Sequence, residues 1–257
     1  MTQIDRVDVI ARLAAAGCVA AGAEAAALLN AAPDDAALES WIERRETGEP
    51  LAWIVGSITF CGHTVRVDPG VYVPRWQSEE LARRAAAALL RQGGRAVDLC
   101  TGAGAIAVHL ADEAPESFVM GTDLDPTSVR CARRNGVTAL VADLGAPLLS
   151  AAFDVVTVVA PYVPTAGIDL LPADVQRFEP RMALDGGDDG LDIVRRAATT
   201  AARLLRPGGW FFAEIGGEQD HIVERLLDAL GFEGIDAWYD DEGDLRGMAV
   251  RARHTTA

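Results

Sequence analysis

The sequence predicts an α/β protein, a mainly parallel sheet covered by helices and preceded by a small helical domain. Three observations predict it. From Ser78 onward strand-like and helix-like patterns alternate, which means parallel strands joined by crossover helices. A glycine turn, Gly102-Ala103-Gly104, follows the first core strand. Ahead of both, residues 1–48 are rich in alanine and carry apolar side chains at helical spacings.

In that first segment Val7, Ile10 and Leu13, then Ala26, Leu28 and Leu29, then Ala37, Leu38, Trp41 and Ile42 each mark a helix face, with Asp34 and Asp35 as caps. Residues 49–77 form a linker and β-hairpin bridge: Leu51 to Val55 leads into Ile58–Phe60 and Val65–Val67, and Asp68-Pro69-Gly70 signals a turn. Residues 78–257 hold the main domain. Ser78–Leu90 reads as an amphipathic helix, and strands are expected at Ala96–Cys100, Ser117–Asp123, Ala139–Ala142, Phe153–Val159, Trp210–Ile215, Gly234–Tyr239 and Met248–Arg253. Helices fall at Ala105–Asp112, Pro126–Asn135, Leu191–Leu205 and Gln219–Leu230. The last two strands, separated by Asp240-Asp241-Glu242-Gly243, are close enough to pair antiparallel. Trp210, Phe211 and Phe212 read as core strand residues.

The 257 residues include 38 acids against 23 bases, all arginine, for a net charge of −15. Such a field repels phosphate backbones, so no nucleic-acid partner is expected. No apolar run reaches membrane length, and Met1–Asp5 lacks the basic-then-apolar form of a signal peptide, so the reading is cytoplasmic with no membrane partner. The cysteines Cys18, Cys61, Cys100 and Cys131 are scattered and form no C-x-x-C pair, so neither a zinc site nor a disulfide framework is expected.

The turn after the first core strand is where a ligand should sit, because Gly102 and Gly104 let the backbone approach closely and the following helix offers free N–H groups. Gly102-Ala103-Gly104-Ala105-Ile106-Ala107 also fits the pattern of nicotinamide and flavin proteins. Asp98 tips the balance. A carboxylate repels a pyrophosphate, whereas it attracts the ammonium and sulfonium of S-adenosylmethionine. Asp123 ends the second strand, 19 residues beyond Gly104, where it accepts hydrogen bonds from ribose hydroxyls, and Asp143 ends the third, where it accepts one from an adenine amine. With Asp98, the cofactor-binding candidates are Cys100, Thr101, Gly102, Gly104, Asp123, Leu124, Asp143 and Leu144.

Nearly the full length resembles the HemK/PrmC family, class I (Rossmann-like) methyltransferases that modify a glutamine amide in release factors, with a sister group acting on a ribosomal protein. The resemblance rests on Arg45–Gly56, Phe60-Cys61-Gly62, Val73-Pro74-Arg75, Asp98–Ile106, Phe178–Gly187 and Glu214-Ile215-Gly216. It implies a seven-stranded sheet, Asp123 on the ribose, Asp143 on the adenine edge and the Thr101–Gly104 loop on the methionine part of the cofactor. It also implies a protein substrate, a release factor or ribosomal protein.

The chain departs from the family where the acceptor should bind. Val159-Ala160-Pro161-Tyr162 stands in place of Asn-Pro-Pro-Tyr, whose Asn side-chain oxygen and following carbonyl accept the two amide protons of glutamine. Valine accepts no hydrogen bond, so glutamine methylation should be weak or absent unless another oxygen serves; the alternatives are a methyltransferase for a small molecule or a non-glutamine side chain, or a non-catalytic module that only binds the cofactor. Without a ligand, the same four residues would be a buried strand ended by proline. Pro74-Arg75-Trp76-Gln77-Ser78-Glu79 replaces Pro-Arg-Pro-Glu-Thr-Glu, with Trp76 either packed or walling the pocket, and Glu179-Pro180-Arg181 is either a loop ion pair or a substrate contact. Cys100 replaces the first loop glycine, a change tolerated if the backbone there is not left-handed.

Overall fold

The computed structural model describes residues 5–92 and 94–253; Met1–Ile4, on which much of the signal-peptide reading rests, lie outside them. The chain opens with α1 (Arg6–Ala15), α2 (Ala21–Ala31), α3 (Asp35–Glu46) and α4 (Leu51–Val55). Asp34 caps α3 by accepting from the Ala37 N–H at 2.8 Å. Val9, Leu13, Ala25, Leu28, Leu38, Ile42 and Ile54 make a separate apolar core. Residues 51–55, which lead into the hairpin as expected, are helical and end at Gly56. The hairpin follows, β1 (Ser57–Phe60) against β2 (His63–Arg66), in antiparallel register.

The main sheet is built from β3 (Arg95–Leu99), β4 (Phe118–Asp123), β5 (Thr138–Val141), β6 (Phe153–Val158), β7 (Leu205–Glu214), β8 (Phe232–Tyr239) and β9 (Leu245–Ala252). Their order is β5-β4-β3-β6-β7-β9-β8, parallel except where β9 pairs antiparallel with β7 and β8. The strands were predicted to within about two residues save β9, which begins at Leu245 rather than Met248, and β7, which begins at Leu205 rather than Trp210. It reaches back to pair with Phe153 across a register shift, although Arg206-Pro207-Gly208-Gly209 reads locally as a strand breaker.

α5 (Glu79–Gln92), α6 (Ala105–Glu113) and α7 (Pro126–Arg134) cover the sheet together with α9 (Asp192–Leu204) and α10 (Asp220–Ala229); the short α8 (Ala173–Phe178) lies in the long connection from β6 to α9. One buried cluster includes Leu81, Leu89, Ile106, Leu110 and Phe212. The other includes Val97, Val156, Leu204, Phe211 and Val223. Their burial confirms Phe211 and Phe212 as core residues. The chain passes β3, β4 and β5 in one direction and then returns to β6 on the other side of β3. At such a reversal the loops diverge, leaving a crevice beyond the carboxyl ends of the strands.

Candidate functional site

That crevice is a cavity of about 1010 Å³, and Asp98, Cys100, Thr101, Gly102, Asp123, Leu124, Asp143, Leu144 and Val159–Tyr162 all line it. Of the predicted site residues only Gly104 is not on its wall. Gly104 stands behind the loop at φ 83°, where a Cβ would come within 2.9 Å of Val137. It thus serves close helix packing. Gly102, at φ 55°, has open space where a Cβ would be.

Asp98 lies inside β3 rather than at its tip and is 2% exposed. Thr101 Oγ1 and Thr157 Oγ1 donate to it at 2.6 and 2.7 Å, but burial dominates and lifts its pKa to about 6. Asp123 accepts the Gly102 and Asp125 N–H groups at 2.8 and 2.9 Å, which ties the glycine turn to the next strand; burial raises its pKa as well. Asp125 caps α7 through the N–H groups of Thr127 and Ser128, at 2.9 and 3.0 Å. Asp143 is half exposed and receives Arg196 Nη2 at 2.6 Å. Leu124 is exposed, whereas Leu144 is buried with φ 48°, a strained conformation at a ligand-facing turn.

Cys100 has φ 56°, so the family's first glycine is replaced at a left-handed position after all. The cysteine carries a conformational cost there, and burial pushes its thiol well above the ordinary range.

Val159 is half-buried on the cavity wall and Ala160 is 2% exposed. The motif is fixed from behind: Gln219 Nε2 donates to the Tyr162 carbonyl at 3.2 Å, and Val163 exchanges backbone hydrogen bonds with Leu184 and Gly186 at 3.1 and 2.8 Å. Trp76 is 67% exposed and off the wall, because its short 3-10 turn points the ring outward. Glu179, 6% exposed, pairs with Arg75 and accepts the Val73 N–H at 3.3 Å, while Arg181 pairs with Asp185 at 3.2 Å. The acid and the base of Glu179-Pro180-Arg181 therefore each make an ion pair within the chain.

Sequence reasoning attached no role to the polar cluster at the acceptor end. Glu214 is 3% exposed and receives Ser78 Oγ at 2.5 Å. Tyr162 lines the cavity beside it, and burial raises the Glu214 pKa. Tyr72, Arg75 and Arg246 line the same region. Burial pushes the Tyr72 phenol up to about 12, and Arg75 sits 5.2 Å over its ring. The early signals were Val73-Pro74-Arg75 and Glu214-Ile215-Gly216 as family matches and Ser78 and Tyr162 within the departing motifs.

No family model matches the chain. A release factor glutamine methyltransferase of Geobacter sulfurreducens is 38% identical over 206 residues, covering 77% of this chain and 71% of its own. The chain belongs to the release factor glutamine methyltransferase family. Another relative, a 4-amino-L-phenylalanine/4-methylamino-L-phenylalanine methyltransferase of Streptomyces pristinaespiralis, is 40% identical over 203 residues, or 74% of this chain and 69% of that one. Among solved structures, a ribosomal protein L11 methylase from Lactobacillus delbrueckii subsp. bulgaricus shares the fold at TM-score 0.54 and 18% identity, over 74% of this chain and 86% of that one. The molecule is a methyltransferase with the class I sheet order. Among the described residues no helix is long and apolar enough to cross a membrane, and no cluster of metal-binding side chains occurs.

Proposed function

We propose that this family member transfers the methyl group of S-adenosylmethionine to an uncharged amine nitrogen of a small molecule, an aryl amine, rather than to a glutamine amide. The donor set fits the cofactor: Asp98 would face its ammonium, the Thr101–Gly102 turn its carboxylate, Asp123 the ribose and Asp143 the adenine amine, between Leu124 and Leu144. When bound, the cofactor supplies an electrophilic methyl on a sulfonium.

Val159 carries the choice of acceptor. An amide lone pair is delocalised into its carbonyl, so an amide reacts only when two acceptors hold its hydrogens and aim the nitrogen. Here the Ala160 carbonyl remains and the partner side chain is apolar. A buried N–H facing Val159 would cost about 1–3 kcal/mol, roughly a 5- to 150-fold penalty. An aryl amine keeps more density on nitrogen and is uncharged at neutral pH, so its reactivity depends less on a second acceptor. Phe60, Tyr72 and Tyr162, with Pro74 and Pro161, give the cavity the flat apolar surfaces such a ring would pack on. The Streptomyces relative named for an amino-substituted phenylalanine supports this class.

The test compares 4-amino-L-phenylalanine with a glutamine-bearing release-factor peptide, using the wild type and Val159→Asn. The wild type should methylate the amine and leave the peptide. Val159→Asn should lower amine turnover and gain on the peptide by about tenfold or more. Faster wild-type turnover of the peptide than of the amine overturns the proposal in favour of the glutamine reading, which the Geobacter relative supports.

A further inference from the structure

Methyl transfer to an N–H nitrogen leaves one proton to dispose of, and this inference rests on the nitrogen-acceptor reading above. As the N–C bond forms, nitrogen acquires a fourth bond and a positive charge. An N–H bond must then break, its electron pair returning to nitrogen and its proton passing to a base. The carboxylates on the cofactor side are already engaged: Asp98 under two threonine hydroxyls, Asp123 on two backbone N–H groups and Asp143 on Arg196.

Glu214 is placed differently. It ends β7 and lines the cavity together with Tyr162, the last residue of the acceptor motif. We propose that Glu214 receives the proton released by the acceptor nitrogen, with the Tyr162 hydroxyl as relay. The nitrogen's proton moves to Tyr162 Oη as the phenolic proton moves to a Glu214 carboxylate oxygen, so one proton crosses and the phenol is regenerated. Glu214 afterwards returns that proton to water.

The surroundings suit the task. Ser78 Oγ donates to Oε2 and holds the carboxylate in place. Tyr72 faces the group without supplying a cation, and Arg246 acts only across space, its Nε being bound to Asp240 at 2.8 Å. Arg75, beyond Tyr72, is neutralised by Glu179. Burial leaves Glu214 with a higher proton affinity than a free glutamate, which favours proton transfer to it. The tyrosine, whose own proton is held well above the ordinary phenol range, passes a proton on without becoming a phenolate.

The test uses the full chain at saturating S-adenosylmethionine, so that titration at Asp98 does not enter, with 4-amino-L-phenylalanine as acceptor. Glu214→Gln should lower kcat by about a hundredfold, keep KM within about twofold and abolish the acidic limb of the kcat–pH profile. Ser78→Ala, which removes a donor to the ionised carboxylate, should instead move that limb to higher pH while leaving cofactor affinity unchanged. Should the wild type methylate only the glutamine peptide, the aryl-amine reading falls and the same kcat comparison is made on the peptide. A measurement independent of any acceptor is the carboxyl titration of Glu214, by carbon NMR on the chain bound to S-adenosylhomocysteine, expected above the ordinary glutamate range. Wild-type kcat with an intact acidic limb in Glu214→Gln, or ordinary titration of Glu214, overturns the proposal.

Discussion

At the scale of single residues, Asp98 shows how burial and ligand charge oppose each other. Its two hydroxyl partners favour the ionised form, but the strand interior disfavours charge more, and the balance leaves a pKa near 6. The unfolded chain titrates this group near 3.9. Between those values the folded state binds the extra proton, so the stability this group contributes is full below about pH 4 and is lost as pH rises through 6. A cation bound beside it reverses the preference. S-adenosylmethionine affinity should therefore climb about tenfold from pH 5 to pH 7, as the ionised fraction grows, and level off above. Calorimetry across that range would show it, and Asp98→Asn should bind more weakly with no slope. A wild-type affinity flat from pH 5 to 7 would contradict the assignment.

At the scale of elements, the turn from β3 into α6 was legible as a ligand loop, because glycine spacing and strand-end acids are local features of sequence. Its backbone sign was not. Cys100 occupies φ 56°, a conformation forced by the carbonyls and N–H groups around it: the Thr101 N–H donates to the Thr122 carbonyl at 2.9 Å and the Gly102 N–H to Asp123. Holding an L-residue there costs about 1–2 kcal/mol, and glycine would give back about half of that in unfolded-chain entropy. Cys100→Gly should thus stabilise the protein by about 1 kcal/mol, read as a higher urea midpoint at unchanged slope. A lower midpoint would mean that the cysteine side chain packs better than its backbone suffers. The β6 end teaches the complementary lesson: Val159 was legible as a lost acceptor because side-chain chemistry is explicit in sequence. The polar cluster at the acceptor end was not, since Ser78 and Glu214 meet across 136 residues of chain.

At the scale of the whole molecule, the sheet was readable because parallel strands buried on both faces are continuous apolar runs, and the helices because their faces repeat. The connection from Ala160 to Gly190 carries neither pattern. It is ordered by distant partners instead: Glu179 against Arg75 and Val73, the Arg177 guanidinium donating to the Thr47 carbonyl at 3.2 Å, and Phe178 meeting Trp53 edge-on with centroids 6.4 Å apart. Through these contacts α8 and Glu179 bridge the N-terminal helices and the segment that leads into α5, and Asp174, Val175 and Arg177 join Arg45 and Gly48 around the same cavity that the strand ends line. The cofactor candidates lie on the strand-end loops, whereas this bridge encloses the outer part of the cavity. Removing the ring should then separate two affinities. Phe178→Ala, which deletes a half-buried aromatic contact worth about 1–2 kcal/mol, should raise the KM for the acceptor by about five- to tenfold while the S-adenosylmethionine Kd stays within about twofold. Steady-state kinetics and calorimetry on the same preparation decide it. An unchanged acceptor KM would show that α8 is a strut between the two helical layers, and equal losses in both constants would show that it shapes the whole cavity rather than its outer part.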